Sequence, residues 1–367
     1  MSDTEIVLLP VKGFEVNKNE VELNNLSFCK LQNIGNLNGQ LQCVSKPKPF
    51  ARSDSGSIVD GYFVILDTIA KRFFFAVQIG KDCYELNFSN SNNVALNKFC
   101  TIYQDSTSDV LEVYKDYVND SIMQSATWYY QDNYTCYFTK PGLPLSKFEF
   151  TDEGYKAVTV PATYENEQSN LCYLSARYII ATNNRLFLGN CYENSDHWST
   201  RIHWSNLNNP DDWKVSTTSE ADYFDLGANS SEITGLGYAN DILFVFSKNS
   251  IWRSDYESFE TKFKTTKLSS IGCPHHYSVI TVDDKIYFIG HNNIYMLDNL
   301  TLSPIGTEIW DWFYNHHSHN KDSTIIAQYD QIKNCIIWSF EEVVNGESLG
   351  TINLVYSINT QTWFTTK

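Results

Sequence analysis

Residues 233–268 and 277–309 carry one pattern twice. Ile233-Thr-Gly-Leu236, a polar turn at 238–241, Ile242-Leu-Phe-Val-Phe246, a turn at 247–249, Ile251-Trp-Arg253 and a last run from 261 to 268 give four short apolar segments. Tyr277-Ser-Val-Ile-Thr-Val282, Asp283-Asp284, Ile286-Tyr-Phe-Ile289, a turn at 291–293, Ile294-Tyr-Met-Leu297 and a run from 302 to 309 repeat it. Aligning Asp241 with Asp284 gives a step of 43 residues, and Lys333 lies 49 further on, after an amphipathic insertion at 308–315. Apolar runs this short, broken by Asn, Asp and Gly, favour strands in hairpins over helices. Four strands per unit at a step of roughly 40–50 residues is the spacing of a β-propeller, because one blade cannot bury both its faces alone.

The same grammar extends backwards. Tyr62-Phe-Val-Ile-Leu66, Arg72-Phe-Phe-Phe-Ala-Val77 and Cys83-Tyr-Glu-Leu86 form a meander, as do Thr127-Trp-Tyr-Tyr130, Thr135-Cys-Tyr-Phe138 and Phe148-Glu-Phe150. The expectation is an all-β propeller of about six four-stranded antiparallel blades, with five or seven as alternatives and a short helical insertion near 308–317. Residues 1–50 are expected to form a lead-in and closing strand, and 51–367 the propeller. The clearest blades are 173–227, 233–270, 276–309 and 323–367, and 88–125 reads as an irregular insertion. Ring closure should pair the ends, so residues near 5–14 or 40–44 are expected to complete the blade ending at Trp363. The 23 Tyr, 22 Phe and 9 Trp suit strands and supply a large core.

The formal net charge of −16 argues against a surface that grips nucleic acid by neutralising phosphates. Nine cysteines, an odd number without a CxxC, argue against a disulfide framework or zinc ribbon, and point to small buried residues in a reducing cytoplasm. The acidic N-terminus is unlike a signal peptide, and no run of about 18 apolar residues occurs. Synthesis in the cytoplasm without membrane insertion is therefore expected.

Catalytic signatures are sparse. His316-His-Ser-His319 and His275-His276 cluster imidazoles, but adjacent residues of a strand face opposite ways, so the expectation is surface or helix-end histidine with no metal. Asp211-Asp212 and Asp283-Asp284 are the carboxylate pairs a propeller glycosidase could use, yet both sit where Asp favours a turn. Trp204, Trp252 and Trp338 lie within alternating strands and are expected to pack between blades. Trp213, Trp310 and Trp312 are less committed and could stack on sugar.

The stretch Arg201-Ile-His-Trp-Ser-Asn-Leu-Asn-Asn-Pro-Asp-Asp-Trp213 is a strand ending in a polar turn that a tryptophan can close. Trp204, Ser205 and Asn206, followed by Pro210, Asp212 and Trp213, resemble the "WS" strand and proline–acid–tryptophan turn of β-propeller tail proteins of short-tailed bacteriophages (nozzle, tail hub or head-to-tail connector). The resemblance continues in order through Phe224-Asp-Leu226, Ile233-Thr-Gly-Leu236 with Gly235, Leu243-Phe-Val-Phe246, Ser250-Ile-Trp252, Gly272-Cys-Pro274 with Gly272 and Pro274, Ile286-Tyr-Phe-Ile289, Asn293-Ile-Tyr295 and Pro304-Ile-Gly306. It spans a little over a third of the chain. Leu41 to Pro49 is similar to the family's lead-in strand, and residues 50–170 carry no match.

The resemblance implies a structural virion protein without catalysis or cofactor. It implies a ring of six copies below portal and adaptor proteins, with DNA leaving through the ring's lumen without specific binding. The propeller's own channel is then expected to be filled by side chains, and the ring's lumen to be acidic. Two other classes remain open: a module binding glycan or protein through loops such as 193–200 and 341–350, and a glycoside hydrolase.

Overall fold

The computed structural model describes residues 13–14, 27–28, 34–37, 40–43, 59–67, 72–80, 82–87, 95–102, 122–130, 133–152, 154–160, 163–165, 171–182, 184–193, 196–227, 229–319 and 324–367. Two short pairs come first: β1 (Gly13–Phe14) beside β2 (Ser27–Phe28), and the hairpin of β3 (Ile34–Leu37) with β4 (Gln40–Cys43). Six antiparallel sheets follow in chain order as the blades of a propeller. Blade 1 is β5 (Val59–Asp67), β6 (Arg72–Ile79), β7 (Asp82–Asn87) and β8 (Ala95–Thr101). Blade 2 is β9 (Gln124–Tyr130), β10 (Asn133–Lys140), β11 (Leu143–Thr151) and β12 (Gly154–Thr159). Blade 3 carries an extra short strand, β13 (Thr163–Glu165), before β14 (Leu171–Thr182), β15 (Arg185–Glu193), β16 (Asp196–Trp204) and β17 (Asp222–Asp225).

Blade 4 is β18 (Ile233–Ala239), β19 (Ile242–Ser247), β20 (Ser250–Ser258) and β21 (Lys262–Ser269). Blade 5 is β22 (Ile280–Val282), β23 (Lys285–Ile289), β24 (Ile294–Asp298) and β25 (Thr301–Pro304). Blade 6 is β26 (Ile326–Asp330), β27 (Cys335–Val344), β28 (Glu347–Ser357) and β29 (Thr362–Thr366). The one helix among the described residues, α1 (Trp310–His316), falls in the expected insertion before blade 6. Residues 95–101, read from sequence as irregular, form the fourth strand of blade 1. The middle of the expected insertion, 103–121, lies outside the described residues.

The inner strands β5, β9, β14, β18, β22 and β26 neighbour one another in that order. Alternation along each blade then sends side chains to two different cores. In β19, Phe244 and Phe246 pack toward blade 5, while Leu243 and Val245 pack toward blade 3. In β23, Ile286 and Phe288 face blade 4, and Tyr287 and Ile289 face blade 6. Burial on both faces explains why these strands read as unbroken apolar runs. Each buried Phe or Leu contributes about 1.5–3 kcal/mol.

Hairpin turns are set by residues that tolerate a left-handed backbone. Asn240 and Asp241 have φ of 51° and 62°, and Asp283 and Asp284 have 47° and 58°. Two consecutive positive φ values define the type I′ turn whose twist matches flanking strands. Blade 6 is stitched to blade 5 by tryptophans: Trp338 Nε1 donates to Ser278 O (3.0 Å) and Trp363 Nε1 to Ile305 O (3.1 Å). Strands β1 and β3 lie alongside β29, the outer strand of blade 6.

Candidate functional site

The turn after β16 brings Trp204, Ser205, Asn206, Pro210, Asp212 and Trp213 into one unit. Asn206 N donates to Asp212 O (2.8 Å), and its Nδ2 donates to Asp212 Oδ2 (2.8 Å). Trp213 folds back, 2% exposed, into the core shared by blades 2 and 3, and its Nε1 donates to Pro210 O at 2.8 Å. Trp204 Nε1 donates to Glu220 O (2.7 Å), whose own N–H donates to Asn206 Oδ1 (3.0 Å). Ser205 Oγ accepts the Leu186 N–H at 3.0 Å.

Asp211 welds this turn to blade 2. It accepts from Tyr137 Oη (2.9 Å) and pairs with Lys147 Nζ (2.6 Å). Burial, with the Asp211 charge beside it, pushes the Tyr137 phenol well above its usual range. Both carboxylates of Asp211-Asp212 are thus held by structural bonds. Asp283-Asp284 occupies a hairpin turn of a different blade, where Asp284 Oδ1 accepts the Asn240 N–H (3.4 Å).

Gly235, Gly272 and Pro274 lie apart from that turn, at the seam of blades 4 and 5. A methyl on Gly235 would sit 2.6 Å from Val279 Cγ2, and one on Gly272 would sit 2.4 Å from both Lys248 O and Asn249 N. These glycines are required by close approach of neighbouring chain, not by backbone conformation. Pro274 lines a separate cavity described below.

Sequence reasoning missed a buried ionic network on blade 3. Arg201 donates to Glu193 Oε1 (2.7 Å) and to both Asp225 oxygens (2.8 and 2.7 Å), and lies over the rings of Trp198 (3.9 Å) and Tyr223 (4.3 Å). His203 Nε2 meets Glu193 Oε1 at 2.8 Å. Burial outweighs that contact and lowers the His203 pKa. For Glu193 burial acts upward, but bonds from His203 and Arg201 prevail and lower it. The signal was available in β15 and β16, where Glu193, Arg201 and His203 occupy strand positions that would otherwise be apolar.

The histidines of 316–319 are less exposed than their sequence suggests. His317 is buried, its ring stacked on Phe313 at 4.4 Å, because the chain turns inward after α1 to bridge Glu342 on β27. His275, His291, His317 and His319 line one cavity of about 260 Å³ with Pro274, Trp310 and Tyr314. Burial, reinforced by the neighbouring imidazoles, lowers the His275 pKa to about 3. Among the described residues no set of three or more His, Cys, Asp and Glu side chains is placed to hold a metal ion. Cys83, Cys100, Cys136, Cys191, Cys273 and Cys335 are buried thiols.

An aromatic surface marks the opposite end of the molecule. Phe73, Tyr129, Tyr134 and Phe150 sit beside the first and last hairpin turns of blades 1 and 2, and all four are exposed. Three are in mutual contact, Tyr129 lying 4.4 Å from Tyr134, which lies 5.1 Å from Phe73, and Phe150 packs on Tyr155 at 5.0 Å. The same end of blades 4 and 5 carries exposed Asp241, Asp283 and Asp284.

No family model matches the chain, and no curated protein matches it. Solved structures with a similar fold include BBS1N in complex with ARL6DN, at 9% identity and a TM-score of 0.42, covering 80% of this chain and 78% of that one. A computationally designed protein, Ika8, matches at 11% identity and a TM-score of 0.40, covering 84% of this chain and 86% of that one. No described helix is long and apolar enough to cross a membrane.

Proposed function

We propose that this chain is a structural virion protein, a ring-forming component of a short-tailed phage tail or head-to-tail connector, with no catalytic role. The observation that carries the proposal is the aromatic surface of Phe73, Tyr129, Tyr134 and Phe150. Contiguous exposed aromatics of this kind are characteristic of protein–protein contact. The motif residues Trp204 to Trp213 support it, because they form a welded unit whose carboxylates close the turn and tie it to blade 2.

On this reading copies associate through the aromatic end into a ring of about six, between portal or adaptor proteins and the distal tail. The excess of 43 Asp and Glu over 27 Lys and Arg keeps exiting DNA from adhering. The protein is made in the host cytoplasm and resides in the virion tail. A second reading, a glycan-binding module, is favoured by the cavity beside Trp310 and Tyr314, where ring faces and imidazole N–H groups meet.

The test is the mass of the purified protein by light scattering and of the same protein in isolated particles. A particle-associated ring of about six copies supports the connector. A monomer absent from particles overturns it, and binding in a glycan array then favours the second reading.

A further inference from the structure

At the middle of the ring the inner strand β14 presents Arg177. Its guanidinium is half-buried, with Nε enclosed and lacking any protein hydrogen-bond partner. Around it stand three tyrosines: Tyr178, Tyr192 and Tyr277. Tyr277 comes from the loop before blade 5, has a φ of 65°, and accepts the Ala327 N–H of blade 6 at 2.9 Å. Its hydroxyl is also enclosed, with no side-chain partner and the Ile122 backbone beside it. Ser175 Oγ, two residues before Arg177 on the same strand face, is a third enclosed polar atom without a partner. Buried polar groups nearly always have a partner in protein, ordered water or a ligand, so this cluster is the candidate binding place.

The charges there can be counted. Glu232, the acid of this neighbourhood, is already paired with Lys248 and faces His276 Nε2 at 3.7 Å. No carboxylate among the described residues pairs with Arg177. His276 receives the Tyr178 hydroxyl at Nδ1, and His197 Nε2 is bonded to Asn190 Oδ1 (2.6 Å). Burial, with the Arg177 charge added, holds both imidazoles below their usual pKa and therefore neutral at pH 7.

We infer that Arg177 is the anchor of a binding site for a small organic monocarboxylate. The guanidinium fork matches a carboxylate in two parallel hydrogen bonds, and the Tyr277 hydroxyl offers a further donor. A single positive charge matches a monoanion better than a dianion, whose second charge would be buried unpaired. The surroundings are aromatic: Tyr192 stacks on His197 at 4.2 Å, Tyr178 stacks on His276 at 6.1 Å, and Tyr178 lies 5.5 Å from Tyr277. On this inference they favour a ligand with a flat apolar body. The site is independent of ring assembly and of the phage reading.

The test is calorimetric titration of the full chain at pH 7.5 with benzoate, acetate and sulfate at matched ionic strength. Benzoate binds more tightly than acetate, and sulfate binds at least tenfold more weakly than benzoate. Arg177→Lys keeps the charge but loses the fork and weakens benzoate at least tenfold; Arg177→Gln weakens it further. Circular dichroism checks that both variants fold. The unmutated protein supplies a second readout, since benzoate but not chloride raises its thermal midpoint. Absence of both heat and midpoint shift with benzoate overturns the site, as does unchanged benzoate affinity in a folded Arg177→Gln protein.

Discussion

Replacing Gly235 by alanine tests whether the blade 4–5 seam is held by close packing at one point. The added methyl would meet Val279 Cγ2 at 2.6 Å and Val279 Cβ at 3.0 Å, well inside contact distance. Overpacking of this kind costs about 1–3 kcal/mol. Alanine also restricts the unfolded chain, which offsets about 0.4–1 kcal/mol. The net expectation is a loss of about 1–2 kcal/mol. Val279→Ala alone removes two half-buried methyl groups and costs about 1 kcal/mol. In the double variant the 2.6 Å contact is gone, so the two losses do not add: the cycle shows a favourable coupling of about 1–2 kcal/mol. Urea unfolding of the four proteins, read from midpoints at constant slope, measures this. Additivity within about 0.5 kcal/mol, or a Gly235→Ala protein as stable as its parent, would refute the steric account.

The Trp213 lid separates packing from hydrogen bonding. Trp213→Ala, which empties a site in the blade 2–3 core, costs about 3–5 kcal/mol, whereas Trp213→Phe keeps much of the volume, loses the bond to Pro210 O, and costs about 1–2 kcal/mol in the same urea assay. The imidazole cavity makes stability pH-dependent. His275 titrates near 6.5 in the unfolded chain but near 3 when folded, so the unfolded state binds the extra proton between those values and stability falls as pH drops below 6.5. The slope contributed approaches about 1.4 kcal/mol per pH unit, and His275→Gln removes it, as thermal or urea unfolding from pH 7 to 4 reports.

Much of the architecture was legible because a blade is a local object. Four strands in sequence order pair with their neighbours, and their turns are written in residues such as Asn240, Asp241, Asp283 and Asp284. The Trp213 lid was legible for the same reason: its partners Pro210 and Asn206 lie within a few residues. Strand β8 was missed because its Ala-Leu-Asn-Lys-Phe-Cys-Thr sequence is that of a partly exposed outer strand, whose alternation is blurred by a register shift opposite Cys83 and Tyr84.

By itself the sequence determined the repeating strand–turn unit, the helix before blade 6 and the turn around Pro210. Those depend on backbone preference and periodicity over a few residues, which any chain segment carries with it. Only the tertiary structure decided what lies between blades. The union of Arg177 with Tyr277, exactly a hundred residues later in the chain, the burial of His317 behind Phe313, and the contact of Gly235 with Val279 all join segments distant in sequence. No local period records such meetings, because each blade's faces acquire their chemistry only when the next blade is set against them.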